Sequence, residues 1–495
     1  MTGASDSEAR EFAAAFRNFL EWVHSEQMEG NDVVALLRDY LGEGASDQSV
    51  VTRALPPFEQ VNLQTALDAW SREPQREVAI HGVSLPPHFG GVSLQQLLTG
   101  GPMPPLRLSA PALVDLPNGP GSTLACLQTA LLLVSDADGR YVIMLNPPGE
   151  HEPPPSLNVE IAGLSVEAAQ AVHARLAELR NQLNVYRGHL LDVSVTPMGG
   201  VSLEFGEVPQ TARDDVVLPE AVLGRVERHA LGIAAHRQAL LSAGQHLKRG
   251  LLLYGPPGTG KTHTTRYLIG RMTAYTRFVL TGRALHAIGS VAELARDLQP
   301  AVIVLEDVDL VAEDRSFGPS STSSVLFDLL DAMDGAAPDA DLLFLLTTNR
   351  ADLLEPALAA RPGRVDVAIQ IDLPDEEGRE RLLALYGRSI PLRLSAEDVH
   401  EIVERTDGVT ASFVKELLRR AMLEALQDNA SVPVVTAAHT GRALDDLLDA
   451  GQQLTRILLG VGADPQSLPA GGGLGTLPPQ IRHGFVGYRR GRFFS

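Results

Sequence analysis

Apolar positions recur along this chain at two spacings that change from one region to the next. Up to residue 40 they recur every three to four residues, at Phe12, Phe16, Phe19, Leu20 and Val23 and again at Val33, Val34, Leu36, Leu37 and Tyr40, which predicts two amphipathic helices. A proline-rich zone follows, including Pro153-Pro154-Pro155. Within it the apolar runs Cys126–Val134 and Tyr141–Leu145 flank Asp136-Ala137-Asp138-Gly139, the pattern of a β-hairpin. Ala168–Leu183 returns to helical spacing. Leu190–Val195 and Val201–Phe205, joined by Pro197-Met198-Gly199-Gly200, predict a second hairpin.

Beyond residue 219 short apolar runs alternate with helical patterns, which predicts a parallel sheet covered by helices. The expected strands are Leu251–Tyr254, Phe278–Thr281, Val302–Leu305, Leu342–Thr347 and Val367–Ile371. From Asp375 to Gly460 the pattern is helical apart from short breaks. These shifts divide the chain into an α+β region at 1–205, a linker at 206–219, an α/β unit at 220–375, a helical unit at 376–462 and a Gly/Pro-rich then Arg/aromatic-rich tail at 463–495.

The chemistry is concentrated after the first of those strands. Gly255-Pro256-Pro257-Gly258-Thr259-Gly260-Lys261-Thr262 follows Leu251-Leu252-Leu253-Tyr254 and precedes a helical pattern. This is a phosphate-binding loop in its strand–turn–helix context. The glycines allow several backbone N–H groups to converge on a phosphate at the positive end of the following helix. Lys261 is placed for the outer phosphates and the Thr262 hydroxyl for magnesium, with His263 beside them. Only three of the 41 basic residues are lysines, Lys248, Lys261 and Lys415. A compact, flexible point charge is retained where phosphate chemistry favours it over a planar guanidinium.

Three further motifs follow in order. Val302-Ile303-Val304-Leu305 delivers the adjacent carboxylates Glu306 and Asp307 to a strand end, where one acid can serve magnesium and the other can position attacking water. Leu346-Thr347-Thr348-Asn349 ends the next strand with an amide able to orient water; a turn-forming Asn is the bland alternative. Arg361-Pro362-Gly363-Arg364 presents two guanidinium groups of the kind that stabilise charge on a transferring phosphoryl group.

Taken together, these motifs resemble the AAA family of ATPases over about residues 213–460. The resemblance implies an αβα ATPase domain with a small helical lid, ATP and magnesium as ligands, and a homo-oligomeric ring, usually a hexamer, with ATP between subunits. Gly255 to Thr262 fall on Walker A and Glu306-Asp307 on Walker B. Asn349 falls on sensor 1, and Arg361 and Arg364 on the arginine fingers. Leu329-Leu330-Asp331-Ala332-Met333-Asp334-Gly335 is similar to a family helix, and Val217 and Leu218 fall where the family contacts adenine. Three positions depart from the pattern. The acids stand in the order Glu306 then Asp307, so by register Glu306 takes the magnesium position and the shorter Asp307 the water-activating one. The aromatic loop of protein-threading members reads Leu285-His286-Ala287-Ile288-Gly289, without the aromatic grip. Gly408-Val409-Thr410-Ala411-Ser412-Phe413-Val414-Lys415 replaces Gly-Ala-Asp at a helix start; there Lys415 reads as a solvated residue or as one approaching the nucleotide.

Bulk composition narrows the partners. The chain has 495 residues, is 44% hydrophobic and carries a net charge of −20. That acidity argues against broad attraction to nucleic acid or an anionic membrane. The one cysteine, Cys126, rules out an internal disulfide framework and fits a reducing compartment. The start of the chain is acidic and polar, unlike a signal peptide, and no apolar run is long enough to span a bilayer, so a cytoplasmic protein is expected. No H-E-x-x-H is present. The expectation is ATP hydrolysis coupled to remodelling of a protein partner chosen by the first region. A nucleotide-gated scaffold is the alternative, and a nucleic-acid motor a third reading that the net charge of −20 disfavours. The tail's Arg482, Arg489, Arg490 and Arg492, interleaved with Phe485, Tyr488, Phe493 and Phe494, reads as a docking peptide, as a contact for single-stranded nucleic acid through stacking, or as a solubilising end.

Overall fold

The computed structural model describes residues 14–16, 32–42, 47–84, 91–99, 106–146, 155–309, 328–329, 331–333, 340–352, 365–428 and 431–449. Most of the first expected helix, Arg361, Arg364 and the tail lie outside the described residues.

The first region is built on strands β1 (Val51–Leu55), β2 (Glu77–Ser84), β3 (Arg107–Ser109), β4 (Leu113–Gly119), β5 (Ser122–Leu127), β6 (Ala130–Asp136), β7 (Gly139–Asn146) and β8 (Leu157–Ala162). Six of them form an antiparallel sheet in the order β1-β8-β7-β6-β2-β3, and β4 and β5 pair as a separate hairpin. The expected hairpin is β6–β7, closed where Asp136 faces Gly139. The apolar run from Cys126 is not one strand. Cys126 and Leu127 end β5, and Gln128 turns by donating its N–H to the Ala112 carbonyl.

Both faces of this sheet are covered, so its apolar residues run without alternation. Leu132, Val134, Tyr141 and Ile143 meet Trp70 and Leu176, from helices Gln60–Trp70 and Val166–Gln182. Leu131, Leu133, Val142 and Met144 meet Val33, Val34 and Leu37 of helix Asp32–Leu41. Helix Val166–Gln182 starts where the Ser165 hydroxyl accepts the Ala168 N–H at 3.2 Å, satisfying an otherwise orphan donor.

The second sheet contains β9 (Leu190–Val195), β10 (Val201–Phe205), β11 (Arg249–Tyr254), β12 (Thr276–Thr281), β13 (Ala301–Glu306), β14 (Leu342–Thr348) and β15 (Val367–Gln370). Its order is β10-β9-β12-β13-β14-β11-β15. All five strands expected after residue 219 are present and parallel. The sheet is only partly parallel as a whole, because the β9–β10 hairpin extends it: β9 runs parallel to β12, and β10 antiparallel to β9. A hairpin expected with the first region is thus hydrogen-bonded to the parallel strands. Val216 and Leu218, in the expected linker, are buried against the same sheet.

One hydrophobic core joins the Gln60–Trp70 helix and the β4–β5 hairpin to the second sheet. Val61 and Cys126 of the first region share it with Tyr186, Leu191, Phe278, Leu285 and Ile288. The Tyr186 hydroxyl donates to the Phe58 carbonyl at 2.7 Å, and the Val185 N–H donates to Asn62 Oδ1 at 2.9 Å.

The helical unit comprises Glu376–Gly387, Ala396–Arg405, Ala411–Asp428 and Ala437–Leu448, packed around Phe413, Leu417 and Leu444. Asp375 caps the first by accepting from Gly378 N–H, and Ser395 with Asp398 forms a capping box on the second. Two-residue strands at Leu392–Arg393 and Val435–Thr436 interrupt the helical pattern. Among the described residues no helix is long and apolar enough to cross a membrane.

Candidate nucleotide site

Strand order brings the C-terminal ends of β11, β13 and β14 together, and each end carries one of the sequence motifs. β11 leads into the glycine-rich loop, which takes backbone angles that side chains resist. Gly255, Gly258 and Gly260 have φ of +150°, +77° and +106°. At Gly255 a Cβ would lie 2.1 Å from the Ile371 carbonyl oxygen. At Gly258 it would lie 2.9 Å from Ser412 Oγ, so the loop is pressed against the start of helix Ala411–Asp428. The Ser412 N–H also donates to the Gly258 carbonyl at 3.3 Å.

Helix Lys261–Arg271 begins at Gly260, so its free N–H groups face the loop. Lys261 is buried, and its ammonium donates to the Gly255 and Pro256 carbonyls at 2.8 Å each. Burial lowers its pKa to about 8 against the opposing pull of Asp307 and Asp309. Those two charges tie the loop electrostatically to the end of β13. Thr259 donates through its hydroxyl to the Pro256 carbonyl. Thr262 is half-buried in the first turn of the helix, and His263, on the exposed side, lies 3.1 Å from the Asp215 carbonyl. Pro257 is exposed.

At the end of β13, Glu306 and Asp307 are half-buried neighbours. Burial raises the pKa of Glu306, Asp307's charge adds to the rise, and Arg266 opposes it. Burial also raises that of Asp307, helped by Asp309 and opposed by Lys261 and by the hydrogen bond from Asn349. Asp307 has a left-handed φ of +51°, unusual for a residue with a side chain. Its N–H is held by Thr347 Oγ1 at 3.0 Å. Asn349 Nδ2 donates to Asp307 Oδ1 at 3.3 Å.

Asp309, Thr347, Thr348 and Ser412 were not singled out by their motifs, although all belong to stretches that carry one. Their contribution is contact across strands, which spacing along one chain does not display. Val217 and Leu218 line a small cleft with Thr259, Ile371, Leu382 and Ala411, between loop, sheet and helical unit. The stretch Leu285–Gly289 is not a protruding loop. Gly282–Ala287 is a 3-10 turn running into helix Ile288–Asp297, with Leu285, Ala287 and Ile288 buried and His286 and Gly289 exposed.

The donor set fits magnesium with a nucleotide. Two adjacent acids, each raised by burial and by a neighbouring negative charge, are stabilised by a cation. Among the described residues no three His, Cys, Asp or Glu side chains are arranged to hold a metal by themselves. Magnesium usually binds through one or two carboxylates together with phosphate oxygens and water, which two adjacent acids beside a phosphate loop suit.

Residues 251–373 match the family described as "ATPase family associated with various cellular activities (AAA)". The chain is 32% identical over 229 residues to the "ATP-dependent zinc metalloprotease FtsH" of Cutibacterium acnes, covering 43% of this chain and 31% of that protein. It is 29% identical over 246 residues to the "Proteasome-activating nucleotidase" of Methanopyrus kandleri, covering 47% and 56%. It is 29% identical over 272 residues to "Protein CdcH" of Halobacterium salinarum, covering 53% and 36%. The matched stretch thus spans between about a third and somewhat over half of these relatives.

Proposed function

We propose that this chain, whose residues 251–373 match the AAA family, hydrolyses ATP with magnesium in a homo-oligomeric ring, a hexamer by family resemblance, and applies the cycle to a protein partner. The observation that carries the reading is the convergence of Lys261, Asp307 and Asn349: the ammonium feels the Asp307 charge, and Asn349 donates to the same carboxylate.

In this reading the backbone of residues 255–262 and the Lys261 ammonium bind the β- and γ-phosphates, releasing the lysine from the two loop carbonyls it now bonds. Thr262, Glu306 and Asp307 would hold the cation, which would neutralise phosphate charge when bound. Asp307 accepts a proton from water that the Asn349 amide helps to align. Val217 and Leu218 offer an apolar shelf for adenine, and His263, held against the Asp215 carbonyl, follows the phosphate loop. Arg361 and Arg364 come from the neighbouring subunit and stabilise the transferring phosphoryl group. The helical unit acts as a lid through the Ser412–Gly258 contact. The first region selects the partner.

The test is assembly. Turnover per subunit should rise with protein concentration through the association range, and Arg361→Ala with Arg364→Ala should retain ATP binding while losing hydrolysis. Full turnover by a monomer would overturn the ring-based site.

A second reading, a nucleotide-gated scaffold doing little mechanical work, is favoured by the burial of Leu285 and Ile288. Of the stretch Leu285–Gly289, only His286 and Gly289 are left exposed to grip a passing chain. If a slowly hydrolysed ATP analogue sustains partner binding and release as well as ATP does, the scaffold reading prevails.

A further inference from the structure

Asp309 lies two residues past Asp307 and carries no role in the motif itself, yet it is 95% buried, and the ends of β13 and β14 meet on it. Its Oδ1 accepts two hydrogen bonds, from the Thr348 hydroxyl at 2.8 Å and from the Asn349 N–H at 3.0 Å. The Thr348 hydroxyl in turn accepts the Arg350 N–H at 3.0 Å. Thr347, one residue earlier, holds the other side: its hydroxyl accepts the Asp307 N–H and its carbonyl accepts the Val308 N–H, each at 3.0 Å. The chain around Asn349 is therefore pinned at 348, 349 and 350, with Asp309 bonded directly to the first two. Only then does the Asn349 side chain reach Asp307.

We propose that Asp309 is a positioning residue for ATP hydrolysis: it fixes the turn after β14 so that the Asn349 amide and the Asp307 carboxylate face one water site. This rests on the ATPase reading above. The argument is geometric. Asp307 is one methylene shorter than a glutamate and sits in a left-handed backbone conformation, so its carboxylate has little reach to compensate for a displaced partner. A misplacement of about 1 Å at such a pair costs about a hundredfold in rate. A carboxylate that accepts from both a hydroxyl and a backbone N–H fixes the turn in two directions, which one hydrogen bond does not.

The experiment compares Asp309→Ala, Asp309→Asn, Thr348→Val and Asn349→Ala for magnesium-ATP turnover and for binding of a fluorescent ATP analogue. Asp309→Ala should lower kcat by about tenfold to a hundredfold with KM and analogue affinity little changed. Asp309→Asn keeps an oxygen at Oδ1 and should recover most of the rate. Combined with Asn349→Ala, Asp309→Ala should cause no further loss, because both act through the same amide. A purely structural role would instead lower the thermal midpoint and binding together and would add to the Asn349→Ala loss. Additive losses, or an unchanged kcat in Asp309→Ala, overturn the inference. If Asp309→Ala does not fold, the comparison passes to Thr348→Val, for which a smaller kcat loss and the same non-additivity are expected and additivity overturns the inference. Absence of turnover in the unaltered protein removes the ATPase reading itself and this inference with it.

Discussion

Raising the pH from about 7 to about 9 should weaken the binding of magnesium-ATP about tenfold through Lys261 alone. Without nucleotide, burial brings the lysine pKa from its usual 10.5 down to about 8. The charged form is present below that value and lost above it. Bound phosphates restore a strong preference for the charged form, so binding takes up a proton wherever the free lysine has lost one. The protonated fraction falls from about nine-tenths at pH 7 to about one-tenth at pH 9, and apparent affinity falls with it, by about 1.4 kcal/mol. Isothermal titration in buffers of different ionisation enthalpy measures both the affinity and the proton uptake. Lys261→Arg, charged throughout, should bind with a flat profile. An unaltered protein whose affinity and proton uptake are flat over this interval would refute the reasoning. The same shift has a consequence without ligand: the unfolded chain holds the proton up to about 10.5, so this group's contribution to stability rises with pH between about 8 and 10.5.

Asp307→Asn should abolish hydrolysis while retaining ATP, and Glu306→Gln should chiefly weaken the magnesium dependence; near-normal phosphate release by the Asp307 variant would reverse the assignment. Binding of magnesium-ATP, followed by titration calorimetry, should weaken toward acid pH above the ordinary carboxylate range, because both free acids are raised and must lose a proton before they can serve the cation. Gly255→Ala places a methyl 2.1 Å from the Ile371 carbonyl oxygen and should cost more than about 2 kcal/mol in a denaturant titration. Ile288→Ala should cost about 2–5 kcal/mol as a core cavity, whereas His286→Ala should stay within about 0.5 kcal/mol; the opposite order would show Ile288 to be free of the core.

The second sheet was legible because each of its strands is a short apolar run bounded by turn residues. The phosphate loop was legible because Gly255, Gly258 and Gly260 must stand at positive φ, and that requirement writes itself into residue identity. Asp309 and Thr347 were not legible as a latch, because their hydrogen bonds join β13 to β14 across about forty residues and leave no local period. The run from Cys126 misled for the opposite reason: burial on both sheet faces removes the alternation that would mark where β5 stops and β6 starts. Leu285–Gly289 read as a loop by analogy of position, but its Leu, Ala and Ile suit a helix seated in a core. The β9–β10 hairpin was recognised as a hairpin, while its neighbour β12, more than seventy residues onward, was beyond local inference.

The strands at residues 190–205 also determine where this molecule can be divided. A fragment begun at residue 206 would strip β12 of its outer hydrogen-bonding neighbour and bare Phe278 and Leu280, inviting edge-to-edge aggregation. Even a fragment begun just before Tyr186 would leave that ring without Phe58. Exchanging the first region for another domain therefore means replacing the contact surface of Phe58, Val61 and Cys126 as well, so the two parts are inherited together rather than divided at a hinge.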